Sequence, residues 1–406
     1  MAWGFRTPCF AIILFSLPLF GDDWPQWRGP DRNGISQEKG WLGHWPAEGP
    51  KVAWKAGIGT GFSSFAVAKG RVFTMGNADN TDTVFCFDAT SGKPIWKHTY
   101  PADLGDKYFE GGTTGTPTID GDRVFTFSRW GDVFCLDSAS GKVVWTRNLQ
   151  KDSGIRVPGW GFAGSPTVLN NLLLLNIGES GMALDKTTGK TVWQSADKEA
   201  GYSTPLPWQR NGKWLVLVSS GQTYLAVDAQ TGKEEWRMRW LTQYGVNAAD
   251  PVIDGDKVFI SSGYGKGAAY LKPGAGTEPE VLWKSKVLRT QINGAMLVNG
   301  FLYGSDGDST DKPALKCVDI ATGTEKWSEP GATFGAMMVA EGRLILLSDR
   351  GELMTAPATP DGFKPAARAQ VLGGKCWTAP VLANGFIYCR NSRGDMVCLD
   401  VRGKSP

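Results

Sequence analysis

Short apolar runs alternate with turn residues along most of this chain, and no run keeps the 3.6-residue period of a helix. One stretch sets the pattern: Val133-Phe134-Cys135-Leu136-Asp137-Ser138-Ala139-Ser140-Gly141-Lys142-Val143-Val144-Trp145. An apolar run leads into Asp-x-x-Ser/Thr-Gly, and a second run ends in Trp. The pattern returns at 84–96, 183–193, 226–236 and 317–327. Each copy predicts a hairpin, because Asp bonds its own backbone in a tight turn and Gly accepts positive φ. A second hairpin lies upstream: residues 117–125 (PTIDGDRVF) match 251–259 (PVIDGDKVF) and 380–388 (PVLANGFIY). Two hairpins per repeat make four short strands.

The repeat can be counted. Trp stands at the fourth-strand position at 54, 96, 145, 193, 236, 283 and 327, roughly 45 residues apart on average. An eighth step lands near Leu372, where 363–372 supplies the strand without the Trp. Four strands at this period are the sequence form of a propeller blade. The last repeat, 378–400, has only three strands, whereas Val52-Ala53-Trp54 is a fourth strand with no three before it. The expected fold is therefore all-β, an eight-bladed β-propeller of four-stranded antiparallel blades, closed by the N-terminal strand around Trp54. Closure would remove the last exposed edge.

Three segments follow from this count: residues 1–21, 22–50 and a single propeller over 51–403. In the first, Arg6 precedes the twelve-residue apolar run 9–20. That run is too short to span a bilayer but fits the core of an export signal. No Cys follows it, which leaves lipid attachment unsupported and predicts a periplasmic or secreted protein that does not span the membrane. The second segment holds Trp24, Trp27, Trp41 and Trp45 with Pro25, Pro30 and Pro46. Four Trp in so short a stretch predict packing along the propeller's outside or across one face rather than a free linker.

Charge narrows the partners. The balance of 43 basic to 40 acidic residues lacks the basic excess of a nucleic-acid binder. With only His44 and His98, multi-histidine zinc sites and Ser-His-Asp machinery are also disfavoured. Of the seven Cys, Cys86, Cys135, Cys317 and Cys398 share one repeat position that other copies fill with Ala183 and Ala226. Such a slot reads as buried and tight. Cys389 would face Cys398 if Arg393-Gly394 were a two-residue turn; two free thiols is the preferred reading.

The repeat, with its Leu-Asp-x-x-Thr-Gly-Lys-x-x-Trp form, resembles that of the pyrroloquinoline-quinone-type propellers, an eight-bladed class. The resemblance covers about residues 51–400. That class includes quinoprotein alcohol dehydrogenases and the outer-membrane assembly lipoprotein BamB. Trp24-Pro25-Gln26-Trp27-Arg28-Gly29-Pro30 further resembles the start of secreted propellers of planctomycete-type bacteria. The resemblance implies two alternatives. One is a non-catalytic exported binding or scaffold protein. The other is a quinone (PQQ)-dependent alcohol or sugar dehydrogenase with calcium. The adjacent Cys-Cys pair often found beside the quinone is absent, and so is the Cys-x-x-Cys-His of covalent haem. Glu110, Asn247 and Asp250 are available to calcium but show no diagnostic grouping. The non-catalytic reading is preferred, without cofactor or metal, for a monomer engaging an unknown protein or a small polar ligand.

The loops leading from each Trp strand to the next repeat should gather on one face around the central channel. They are rich in Gly, aromatics, amides and hydroxyls, the usual mixture of a concave site. The candidate funnel residues are Phe62, Ser63, Thr114, Trp160, Tyr202, Tyr244, Asn247, Asn293 and Trp377. In the second half the loop 333–335 (Thr-Phe-Gly) belongs to the same set. The expectation is that Trp160, Tyr202, Tyr244, Asn247 and Trp377 line one cavity.

Overall fold

Eight antiparallel sheets of four strands, one per repeat, make up a β-propeller in the computed structural model. The structure describes Met1 and residues 23–274, 276–307, 313–331 and 335–403. The proposed export signal lies outside the described residues. Blades 1 to 7 occupy 66–101, 118–148, 167–194, 206–239, 252–285, 296–330 and 336–370, each wound from an inner strand to an outer one. Blade 8 takes Val381–Ala383, Phe386–Arg390 and Asp395–Asp400 from the C-terminal end, and Lys51–Gly57 as its outer strand. Trp54 lies opposite Cys398 in that pairing. The ring is closed by the N-terminal strand. Blade 7 completes itself with Ala367–Gln370, shorter than the expected 363–372. Among the described residues the sole helix is the turn Leu149–Ser153, which Asn148 caps through the Lys151 N–H.

The repeated Trp and Gly form one device that joins neighbouring blades. The Trp54 indole donates to the Ala89 carbonyl, Trp96 to Ser138, Trp145 to Lys186, Trp193 to Ala229 and Trp283 to Ile320, at 2.8–3.0 Å. In every case the acceptor follows the turn Asp of the next blade. The ring lies flat on that turn's Gly, so that a Cβ on Gly92, Gly141, Gly189, Gly232 or Gly323 would stand 2.5–2.9 Å from indole carbons. The same glycines hold φ near +70°. Conformation and space both demand Gly. The turn Asp shapes the loop that receives the ring: Asp137 Oδ1 accepts from the Ser140 amide and hydroxyl. Those bonds hold its carboxyl below the usual range.

A bulge precedes each of these Trp. The outer-strand register shifts there in all seven blades that carry one, and no shift occurs in blade 7, which lacks it. Blade 5 departs from the repeat at its last turn, 272–280, and the Trp236 indole N–H that would dock there has no partner.

The segment 23–50 crosses the end of the channel opposite the loops. Trp24 bridges Val67 on the inner strand of blade 1, and the Pro25 carbonyl accepts from Ile119 of blade 2. Arg32 donates to Val168 of blade 3. The chain then returns across the channel, and Ile35–Ser36 adds a parallel fifth strand to blade 7 at Val339 and Ala340. Trp41 bridges Arg402 on the way out to blade 8. Trp24 and Trp41 are buried, while Trp27 and Trp45 are half-buried. This segment is a plug.

Cys389 lies opposite Val397, and Cys398 opposite Tyr388. The connection between their strands is longer than the two-residue turn that would oppose them. The two thiols therefore project from opposite faces of the sheet. All six described cysteines are buried and free. Burial pushes the thiols of Cys86 and Cys376 up to about 12 and those of Cys135 and Cys317 to about 11, which leaves them inert.

Candidate functional site

A cavity of about 460 Å³ opens on the loop face at the channel axis. Eight aromatic residues line it: Trp27, Phe62, Tyr108, Phe109, Trp160, Tyr202, Tyr264 and Trp377. Trp160 links Tyr108 and Tyr202, with ring centroids 5.5 and 6.1 Å away. Phe62 stacks on Trp377 at 5.8 Å and contacts Phe109 at 5.6 Å. The polar lining comes from Thr114, Ser165, Thr204, Asp250, Gln291, Asn293 and Thr378.

Six of the nine candidates, Phe62, Thr114, Trp160, Tyr202, Asn293 and Trp377, line this cavity; Ser63, Tyr244 and Asn247 do not. Ser63 is fully buried, and its carbonyl accepts from Arg390. The Phe62 and Ser63 amides both donate to the Thr113 carbonyl, and the Phe62 ring reaches the cavity while Ser63 does not. Tyr244 is turned outward by the 242–246 turn, which Thr242 ties at both ends to Val246. Its ring packs on the outside of Tyr264 instead, at 5.0 Å. Asn247 is fully buried. Its amide donates to the Ser220 and Trp240 carbonyls and accepts from Ser262, all at 2.9 Å. It positions the loop without reaching the cavity. Phe334, in the loop 333–335, lies outside the described residues.

The floor is built by a hydrogen-bond relay running around the channel. The Ser64 amide donates to Thr116 Oγ1, Thr116 to Ser165 Oγ, Ser165 to Thr204 Oγ1 and Thr204 to Asp250 Oδ1, at 2.7–3.0 Å. These residues occupy one repeat position, just before each inner strand. The relay ends at Asp250 because blade 6 has Gly294 there. A Cβ on Gly294 would stand 2.6 Å from Arg28 Nη1, so the glycine makes room for the plug's guanidinium. Arg28 Nη2 donates to the Ala295 carbonyl at 2.8 Å, and Nη1 approaches Asp250 Oδ2 at 3.9 Å. Trp27 Nε1 donates to the same carboxylate oxygen at 2.5 Å. Burial pushes the Asp250 carboxyl up and the Arg28 guanidinium down, and their mutual attraction opposes both shifts.

Trp27 and Asp250 were not among the funnel candidates, although Asp250 was weighed as a calcium ligand. Asp250-Pro251 aligns with Thr116-Pro117, Ser165-Pro166 and Thr204-Pro205, a repeat signal that marks the floor position. Trp27 has no such signal, because the plug lies outside the repeat.

The oxygen donors considered for calcium are dispersed. Glu110 pairs with Lys375 at 2.6 Å, Asn247 is spent on backbone, and Asp250 faces Arg28. Among the described residues no group of three His, Cys, Asp or Glu could hold a metal ion. Pyrroloquinoline quinone carries several carboxylates, whereas the lining contains Asp250 and no Lys, Arg or His. The residues present do not fit that group.

Residues 83–329 match the model of the family described as outer membrane protein assembly factor BamB. The chain belongs to that family. BamB from Moraxella catarrhalis is similar in structure, with a TM-score of 0.65 and 15% identity over 87% of this chain and 100% of that one. Quinohemoprotein alcohol dehydrogenase ADHIIG from Pseudomonas putida HK5 gives 0.69 and 13% over 95% and 81%. A europium-containing methanol dehydrogenase gives 0.71 and 13% over 91% and 89%. At these identities the likeness is one of fold, and the fold hosts both scaffolds and enzymes. No curated protein matches the sequence. Among the described residues no helix is long and apolar enough to cross a membrane.

Proposed function

We propose that this BamB-family chain is a non-catalytic exported binding protein, holding a small polar ligand or the end of an extended chain in the aromatic cavity. The observation that carries this reading is the cavity's make-up. Eight rings surround a floor whose one ionisable acid, Asp250, is already held by Trp27, Thr204 and Arg28. Such a floor orients a ligand but offers no free base or nucleophile. The resemblance of residues 24–30 to the start of secreted planctomycete-type propellers supports export.

The quinone-dependent dehydrogenase alternative makes an opposite prediction in one assay. Protein mixed with pyrroloquinoline quinone and calcium is tested for dye-linked alcohol oxidation, beside a thermal-shift screen of polar small molecules, sugars and short peptides. The expected result is no oxidation, with stabilisation by at least one compound that Trp160→Ala abolishes. Quinone-dependent turnover would overturn the binding reading.

A further inference from the structure

We infer that the ligand of this cavity is the end of a neutral oligosaccharide. The inference rests on the binding reading above and narrows it to a chemical class. Sugar rings present an apolar face of C–H groups and an edge of hydroxyls, and the cavity offers the complement of both. Trp160 with Tyr202, and Phe62 stacked on Trp377, contribute aromatic surface to the lining.

Directional polar groups share the lining with these rings. Asn293 uses Nδ2 on the Trp377 carbonyl at 3.0 Å, which keeps Oδ1 as an acceptor. Gln291 uses Oε1 on the Gly263 amide at 3.0 Å, which keeps Nε2 as a donor. The Ser165 and Thr204 oxygens accept within the relay and retain their hydroxyl protons to donate.

Charge decides against the competing classes. An anionic ligand would meet no Lys, Arg or His in the lining. A cation would meet rings, but the Asp250 carboxylate already faces Arg28 and accepts two N–H groups. A wholly apolar ligand would strip water from the amides and hydroxyls without replacing their bonds.

The shape adds length. A more open hollow of about 720 Å³ adjoins the cavity and shares Tyr108, Phe109 and Trp377 with it. A chain whose end fills the cavity therefore has a path outward, past Lys375 and Glu110, which neutralise each other.

The test is a glycan array of neutral glucans, xylans, mannans and chitin fragments beside acidic glycans, followed by calorimetric titration of the shortest neutral oligosaccharide that binds. Trp160→Ala and Trp377→Ala truncate half-buried rings, and thermal midpoints check that both variants fold. Each is expected to weaken binding at least tenfold, and Asn293→Ala to weaken it several-fold. Neutral-glycan binding that is equally tight in all three variants would overturn the inference, as would binding of acidic glycans alone. If no glycan binds but a peptide or choline does, and Trp160→Ala abolishes it, the oligosaccharide is wrong and the binding cavity stands. If nothing on the array or in the compound screen binds, both readings fall.

Discussion

Buried polar residues in this propeller carry costs that can be measured one at a time. Asp82 is 2% exposed and accepts from Asn77 Nδ2 at 2.7 Å. Burial raises its carboxyl from 3.8 to about 6 despite that bond. Between those values the folded protein keeps a proton that the unfolded chain has released. Raising pH through this window therefore lowers stability, by at most about 3 kcal/mol for a shift of this size. Asp82→Asn removes the titration. The thermal midpoint of the wild type is expected to fall relative to the variant between pH 4 and 6.5, and parallel profiles would show that Asp82 is ionised throughout. The site residues follow the same physics. Asn247 sat in the right loop by sequence, yet three backbone and hydroxyl partners consume its amide. Composition alone does not separate an amide offered to a ligand from one that carries a loop.

At the scale of the element, the blade-to-blade latch explains why the repeat was so readable. One Trp, one Gly and one Asp serve the same contact at five of the eight blade junctions, so all three recur at the blade period. The inner-strand relay is periodic too, but it varies among Ser, Thr and Asp, which kept Asp250 from standing out. Tyr244 shows the limit from the other side. Its loop matches those carrying Trp160 and Tyr202, and a local turn held by Thr242 throws it outward. The latch itself is testable with two glycines of similar backbone. Gly189 has φ +72° and a Cβ there would stand 2.7 Å from the Trp145 ring; Gly255 has φ +60° and open space. Gly255→Ala should cost only the left-handed strain, about 1–2 kcal/mol. Gly189→Ala should cost that plus the displaced ring, about 3 kcal/mol or more. Thermal unfolding of the two variants gives the comparison, and equal losses would mean that the Trp145 ring yields freely.

For the whole molecule, the N-terminal stretch does two separate jobs. Residues 51–57 close the ring by pairing with Asp395–Asp400, and Trp54 then latches blade 8 to blade 1 through Ala89 and Gly92. This closure was legible because the two chain ends carry complementary parts of one blade. Residues 23–50 plug the channel, place Trp27 in the cavity lining and set Arg28 behind it against Asp250, a route no repeat could announce. The two jobs predict different failures. Deleting residues through Gly57 strips Trp54 from its slot and leaves Asp395–Asp400 as an open edge, the kind that pairs with other chains. Loss of a buried Trp alone costs about 3–5 kcal/mol. That protein is expected to aggregate or to unfold at a much lower temperature. Deleting only through Pro50 leaves the closing strand in place. It should yield a soluble propeller with a lower thermal midpoint, because the buried Trp24 and Trp41 are lost and Asp250 loses Arg28, its cationic partner among the described residues. Adding Asp250→Asn to the shorter deletion removes the uncompensated charge and should restore part of the midpoint. Equal behaviour of the two deletions would show that the plug, rather than the outer strand, holds the ring shut.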